Sequence, residues 1–309
     1  MPTPASAPVS PVLAIVTPVR GEARYLLEWI AYHRALGINA FLLADNGGDD
    51  TTSELLQELD RHHVVKRFDW RDKTKLQLQF YCQALHFARG FAHGLFFIDA
   101  DEFLRPQGHA SISDIARTWL SDSTLGAVAL NWAIYGSSGR QRRDDGLVIE
   151  RFTRRAPQEF SANMHSKAFV RVDCCAGPAE NPHAVRLSTG RYIDTRGQDA
   201  RWDTSHGHLV GITATVTWDV LRVDHFILKS REEFEEKRAR GRLITSMQDG
   251  DWEAYYASHD RNEVEEPMPA ELVQRTKSEI DRITHQLRAE ESVSSAAEHP
   301  LQTSISSIK

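Results

Sequence analysis

The sequence predicts an α/β protein in which a mostly parallel sheet carries helices on both faces. Two observations predict it. Apolar, β-branched runs alternate with segments of helical period through the first hundred residues, the order expected of parallel strands joined by crossover helices. One of those runs, HGLFFIDADEFL, brings three carboxylates, Asp99, Asp101 and Glu102, to the end of a strand, and open α/β sheets bind ligands at the carboxyl ends of their strands.

Residues 1–11, MPTPASAPVSP, are rich in Pro, Ser and Ala and read as a flexible tail. VLAIVTPV reads as a strand covered on both faces. EARYLLEWIAYHRALG sets Leu26, Leu27, Ile30 and Leu36 at helical spacing and stops at Gly37. INAFLLADN repeats the strand pattern, and TTSELLQELDRH is a helix opened by a Thr or Ser cap. HVVKRFDW is a third strand, KTKLQLQFYCQALHFARG a third helix and HGLFFIDADEFL a fourth strand. Beyond Arg105 the pattern loosens. GAVALNWAIYGSSG is a strand running into a glycine loop, HSKAFVRV, HAVRL and TWDVLRVDHFIL are short strands, and REEFEEKRARGRLI and ELVQRTKSEIDRITHQLRAE have helical spacing. No internal repeat is present. The simplest partition is one domain over 12–264, a C-terminal helix over 265–290 and a serine-rich flexible tail over 291–309.

Hydrophobic residues make up 41% and charged residues 26%, as in a globular enzyme and unlike a disordered or fibrous chain. A net charge of −6 offers no general attraction to nucleic acid, and no nucleic-acid partner is expected. The early apolar run VLAIV is too short for a signal-peptide core or a bilayer span, so no integral membrane segment and a cytoplasmic location are expected. Cys82, Cys174 and Cys175 match neither a disulfide framework nor a zinc site and read as buried, reduced thiols.

Asp99 and Asp101 stand two apart, so an extended segment would send both side chains to one face and Glu102 elsewhere. Like charges held together lose solvation and repel. A hard divalent cation, Mn²⁺ or Mg²⁺, would offset both, since it takes one or two carboxylates and fills its remaining positions with phosphate and water. The competing reading is a solvated strand end whose carboxylates cap a neighbouring helix.

The ordered motifs EARYLLEWIAYHRALGINAFLLADNGGDDTT, IDADEFL, NWAIYGSSG, VIERFTRR, HSKAFVR, VDHFILKSREEFEEKRARG and SHDRNEV resemble the bacterial glycosyltransferases related to families 92 and 2, which have the GT-A fold. The resemblance spans about Ala14 to Val264. It implies a Rossmann-like mixed sheet, and transfer of a sugar from a nucleotide-diphospho-sugar to a saccharide or glycoconjugate acceptor with Mn²⁺ or Mg²⁺. Asp101 would hold the metal, Asp99 would share it or contact the ribose, and His225 would complete the ligand set, with His165, His183, His206 and His208 as competitors. Thr17, Pro18, Val19, Arg20 and Glu22 follow the first strand, and Asp45 and Asn46 the second, where similar enzymes surround the nucleotide. Each has a structural reading as well: Arg20 in an ion pair with Glu22 or Glu28, Asp45 in a polar turn. Gly136, in GSSG, and Lys229 would approach the donor phosphates or sugar.

If the reaction inverts the anomeric centre, Asp145 or Glu150 would serve as base; their arginine-rich surroundings also suit a solvated charged face. Trp29, Trp132, Trp202 and Trp218 are core residues or sugar platforms, with Trp202 the most exposed by context. The acceptor would belong to cell-surface polysaccharide or glycoconjugate synthesis, and a lipid-linked one would be met by peripheral contact at the membrane surface. Three other classes compete. A haloacid-dehalogenase-type phosphatase would want Thr or Val where Phe103 stands, and a nucleotidyltransferase would want a glycine-rich loop after the first strand. A nucleotide-sugar-binding protein without catalysis is the third.

Overall fold

In a computed structural model, residues 10–48, 50–71, 77–108, 111–205, 211–239 and 252–297 are described. The strands are β1 (Leu13–Val19), β2 (Ala40–Asp45), β3 (Lys66–Asp69), β4 (Gly94–Phe97), β5 (Glu102–Pro106), β6 (Leu125–Ile134), β7 (Arg154–Arg155), β8 (Ser166–Arg171), β9 (Cys175–Pro178), β10 (Val185–Leu187), β11 (Arg191–Ile193), β12 (Leu221–His225) and β13 (Val264–Glu265). The helices are α1 (Ala23–Ala35), α2 (Thr52–Arg61), α3 (Gln77–Ala88), α4 (Ile112–Ser121), α5 (Val148–Arg151), α6 (Arg231–Ala239), α7 (Trp252–His259) and α8 (Ala270–Ala297).

The main sheet runs β3-β2-β1-β4-β8-β6-β12-β5, with β11 added beside the start of β6. Pairing is parallel except where β8 meets β4 and β6 and where β5 meets β12. Both faces are covered, as the continuous apolar strands require. Along β1, Leu13 and Ile15 enter the core beneath α1, whereas Ala14 and Val16 enter the core beneath α3; β2 divides Phe41 and Leu43 from Leu42 and Ala44 in the same way. The expected mixed α/β sheet flanked by helices is thus what the chain forms. The C-terminal helix differs from the expected 265–290: Glu265 pairs in β13, and α8 starts at Ala270 and runs to Ala297, into the stretch read as a flexible tail. It lays Leu272, Val273 and Ile283 into the α1 core and pairs Glu279 with Arg34 at 2.7 Å.

Several local expectations need correction. HGLFFIDADEFL is two strands, not one: β4 ends at Phe97, a turn closed by the Glu102 N–H on the Asp99 carbonyl (3.1 Å) follows, and β5 begins at Glu102. This break shapes the whole sheet. From β4 to β5 the sheet order counts four strand spacings, about 19 Å on a flat sheet. Two extended residues and a turn span at most about 14 Å. The sheet therefore curls, and the curl brings β12, hydrogen-bonded to β5, beside the turn. The Thr51 side chain does not cap α2; Asp50 accepts from the Thr52 N–H (3.1 Å), and the Thr52 hydroxyl accepts from the Glu22 and Ala23 N–H groups at the start of α1. Helix α4, capped by Ser111, lies in the stretch where the sequence pattern loosens. Cys82 is exposed, whereas Cys174 and Cys175 are buried, and all three are free. His206, His208 and most of both tails lie outside the described residues.

Candidate active site

The turn between β4 and β5 gathers alternating charges. Asp99 Oδ1 accepts from Gln77 Nε2 (2.9 Å) and Oδ2 from Lys167 Nζ (2.7 Å). Lys167, fully buried on β8, also lies 3.6 Å from Glu102 Oε1. Glu102 is fully buried too, and its Oε2 accepts from the Asp99 N–H at 2.8 Å. Asp101 Oδ2 accepts from Lys237 Nζ of α6 (2.6 Å), and its Oδ1 lies 3.4 Å from His225 Nε2. His225 Nδ1 lies 3.8 Å from Glu102 Oε1, closing the cluster.

Protonation follows from burial and partners. Burial would push the Asp101 carboxyl up, but Lys237, His225 and Lys229 outweigh it and hold it well below the usual range. Burial drives Glu102 well above its ordinary value, with Asp99 and Asp101 adding to the effect and Lys167 opposing it. Lys167 is raised: burial alone would lower it, and Asp99 and Glu102 overcome that. Burial lowers His225 against the pull of Asp101, and lowers Lys229 against Glu22.

Three elements hold the turn in place. From α1, Trp29 Nε1 donates to the Glu102 carbonyl (2.7 Å), Tyr32 Oη to the Leu104 carbonyl (2.8 Å), and His33 Nε2 accepts from the Leu104 N–H (3.2 Å). From β1, the Thr17 hydroxyl donates to the Ile98 carbonyl at 2.8 Å. After β12, the Phe226 N–H donates to the Asp101 carbonyl at 3.0 Å. Behind His225 stands Trp132, edge-on to it at 4.4 Å and stacked on His165 at 4.9 Å.

Of the residues expected from sequence, Asp99, Asp101, His225 and Lys229 come together here. Lys229 is buried with a left-handed backbone (φ 59°), its ammonium 4.4 Å from the Tyr25 ring centroid. Asp99 and Asp101 turn to different partners, Asp99 to Lys167 and Gln77 and Asp101 to Lys237. Thr17, Pro18 and Val19 are buried and form the floor of this edge, leaving Arg20 exposed and Glu22 half-buried. Asp45 is also buried; a carboxylate in that apolar surrounding needs partners, and it has Arg67 (2.8 Å), Ser53 (2.8 Å) and the Gly47 N–H (3.0 Å), while Asn46 donates to the Trp70 carbonyl.

The GSSG loop does not offer its amides: Gly136, Ser137, Ser138 and Gly139 donate to Arg154, Asp260, Asn262 and Ser137. A Cβ on Gly136 would stand 2.4 Å from the Arg261 carbonyl oxygen, so glycine is required there for packing. Glu150 pairs with Lys277 of α8 at 2.6 Å, and the exposed Asp145 lies 3.7 Å from Arg24. Trp29 and Trp218 are core residues, and Trp202 is half-buried against Tyr192. His165 and His183 adjoin Trp132 and not the carboxylates. Sequence reasoning missed Lys167, whose signal is a lysine inside an apolar strand, and Lys237, which carries no signal in a run of helix charges.

A divalent cation fits Asp101 and His225. They present an oxygen and a nitrogen to one another across 3.4 Å, and His225 Nδ1 and Glu102 Oε1 are both buried without a hydrogen-bond partner, facing each other. Such a carboxylate commonly orients an imidazole ligand. Among the described residues no group of three or more His, Cys, Asp or Glu side chains surrounds one point, so the protein would supply two ligands.

The fold and this cluster define an α/β protein with a charged site at the carboxyl ends of its strands. The family model described as Glycosyltransferase family 92 matches residues 12–157, and the chain is related to that family. A family 92 protein of Oryza sativa subsp. japonica is 27% identical over 252 residues, covering 81% of this chain and 38% of the relative. One of Ricinus communis is 30% identical over 193 residues, covering 59% and 32%. The chain thus spans well under half the length of these curated relatives. Among solved structures, S. aureus TarS 1-349 in complex with UDP superposes with a TM-score of 0.36 at 11% identity, covering 53% of this chain and 47% of that one. GalNAc-T7 with UDP, GalNAc and Mn²⁺ gives 0.38 at 11%, covering 80% and 48%.

Proposed function

We propose that this chain is a metal-dependent glycosyltransferase that moves a sugar from a nucleotide-diphospho-sugar to a saccharide or glycoconjugate hydroxyl. The apposition of Asp101 and His225, ringed by Lys229 and Lys237, carries this reading, and the relation of residues 12–157 to family 92 supports it. Asp101 and His225 would hold Mn²⁺ or Mg²⁺, which when bound supplies Lewis-acid neutralisation of the diphosphate. Lys229 would add positive charge on the side where the leaving diphosphate gathers negative charge. Glu102, 3.8 Å from His225 Nδ1, would orient the ring toward Asp101 if the two close to hydrogen-bond distance, and Lys167 holds Asp99 by a hydrogen bond. Asp99, one-third exposed, has lone pairs left to accept from a ribose hydroxyl.

In the transfer the bond from the anomeric carbon to the diphosphate oxygen breaks, with its electron pair left on that oxygen. The acceptor oxygen bonds to the anomeric carbon and gives up its proton. For an inverting course Asp145 is the base we propose, since Glu150 is held by Lys277; a retaining course needs no such base. We assign the acceptor to cell-surface polysaccharide or glycoconjugate synthesis on the cytoplasmic side, with peripheral contact to any lipid-linked acceptor. Among the described residues no helix is long and apolar enough to cross a membrane.

A panel of UDP- and GDP-sugars assayed for hydrolysis with Mn²⁺, with Mg²⁺ and after chelation tests this reading, followed by glycan acceptors on the best donor. One donor turned over only with metal is the expected result. Donor binding without turnover under every metal condition would replace it with a nucleotide-sugar-binding protein.

A further inference from the structure

Lys237 stands apart from the other cations of the site. Its helix is anchored a turn earlier: Glu233 and Ser230 cap one another, the Glu233 N–H donating to Ser230 Oγ and the Ser230 N–H to Glu233 Oε2. Arg151 grips Glu233 with two hydrogen bonds (2.9 and 3.0 Å), and the Tyr25 hydroxyl adds a third at 2.7 Å. Four residues on, the same helix face carries Lys237, whose side chain is 31% exposed although it donates to Asp101 Oδ2 and to the Ile227 carbonyl (3.0 Å). Lys167, by contrast, is fully buried and fixed between two carboxylates. Thus a rigid helix holds a long, flexible, solvent-reaching cation on the one carboxylate that a divalent ion would also use.

We propose that Lys237 is an exchangeable counter-cation: it neutralises Asp101 until a divalent ion takes that carboxylate, and its ammonium then binds the diphosphate of the nucleotide. This rests on the metal-dependent reading above. The argument is electrostatic. Asp101 carries a single negative charge, and a divalent ion added beside a retained ammonium would crowd three positive charges onto it. A nucleoside diphosphate brings the negative charge that gives the displaced ammonium a new partner, and a lysine stem can reach it without movement of the helix.

Mn²⁺ binding by the full-length protein, read from the loss of the free-ion electron paramagnetic resonance signal, tests the proposal together with calorimetric titration of UDP and of GDP at saturating Mn²⁺. Lys237→Met should bind Mn²⁺ alone about tenfold more tightly than the wild type, since no charge-assisted hydrogen bond to Asp101 has to be broken. The same variant should bind the preferred nucleotide with Mn²⁺ about tenfold more weakly, and Lys237→Arg should restore much of that loss. Circular dichroism of both variants checks the fold. Any pattern in which the two affinities of Lys237→Met fail to move in opposite directions overturns the proposal, because a fixed structural ion pair would leave both unchanged or weaken both. Failure of the wild type to bind Mn²⁺ with either nucleotide would instead overturn the metal-dependent reading, and the role of Lys237 with it.

Discussion

Lys167 has no route to water, so its charge exists only because Asp99 and Glu102 are there. Removing one partner of a buried ion pair leaves the other uncompensated, at a cost of roughly 3–5 kcal/mol. Asp99→Asn, which leaves Lys167 buried beside a Glu102 that burial keeps protonated, should therefore destabilise the protein by about that amount in urea titration; a loss below about 1 kcal/mol would mean that Lys167 is neutral or that Glu102 supplies the charge on its own. Asp101 differs, because its neighbour Lys237 can return to solvent. Asp101→Asn keeps the shape of the side chain and should leave the thermal midpoint within a few degrees. Donor turnover should fall by a factor of at least about a hundred, the scale for removing one electrostatic group at a reacting centre. Unfolding alongside lost turnover would make the carboxylate structural.

At the scale of elements, α1 is the clamp on the acidic turn, and His33 ties it to β5. Its Nε2 accepts from Leu104 N–H while Nδ1–H donates to the Trp29 carbonyl at 2.8 Å, so the ring is neutral, and burial lowers its pKa to about 3. An unfolded histidine titrates near 6.5. Between those values the unfolded chain holds the additional proton, so the stability His33 contributes is complete above about pH 6.5. It is lost as pH falls, by roughly 1.4 kcal/mol per unit. The destabilisation caused by His33→Leu should accordingly be greatest at pH 7–8 and shrink steadily toward pH 5 in paired urea titrations; a pH-independent gap would place a proton on His33 in the folded state.

The same helix shows what the sequence reveals and what it hides. Leu26 and Ile30 on a helical period, and β1 and β2 apolar on both faces, are local signals, and the elements they predict are present. The break in FFIDADEFL is not local. Phe103 and Leu104 are as apolar as Phe96 and Phe97, and only the pairing of β5 with the distant β12 separates them into two strands. For that reason Asp101 and His225 could be named from sequence, whereas the divergence of Asp99 from Asp101 could not. Lys167 and Lys237 face carboxylates 68 and 136 positions away, which no periodicity records.

For the whole molecule, the curl of the sheet is what makes the site: it folds the β12 end, with His225, back over the turn that carries Asp101. Helix α8 braces this arrangement from behind α1, where Met268, Leu272, Val273 and Ile283 are buried. Burial of such side chains contributes about 1.5–3 kcal/mol each, so deleting residues 268–309 removes a sum comparable with the net stability of a domain. The truncated chain should lose its cooperative unfolding transition in calorimetry, and a native-like transition would show that α8 is dispensable. The central claim is that Asp101 and His225 together hold a cation against a nucleotide diphosphate. Crystals grown with Mn²⁺ and the nucleotide of the preferred donor, measured at the manganese absorption edge, test it most directly. The account predicts one anomalous peak in contact with Asp101 Oδ1, His225 Nε2 and the diphosphate; an ordered nucleotide with no peak there, or a peak on other residues, would contradict it.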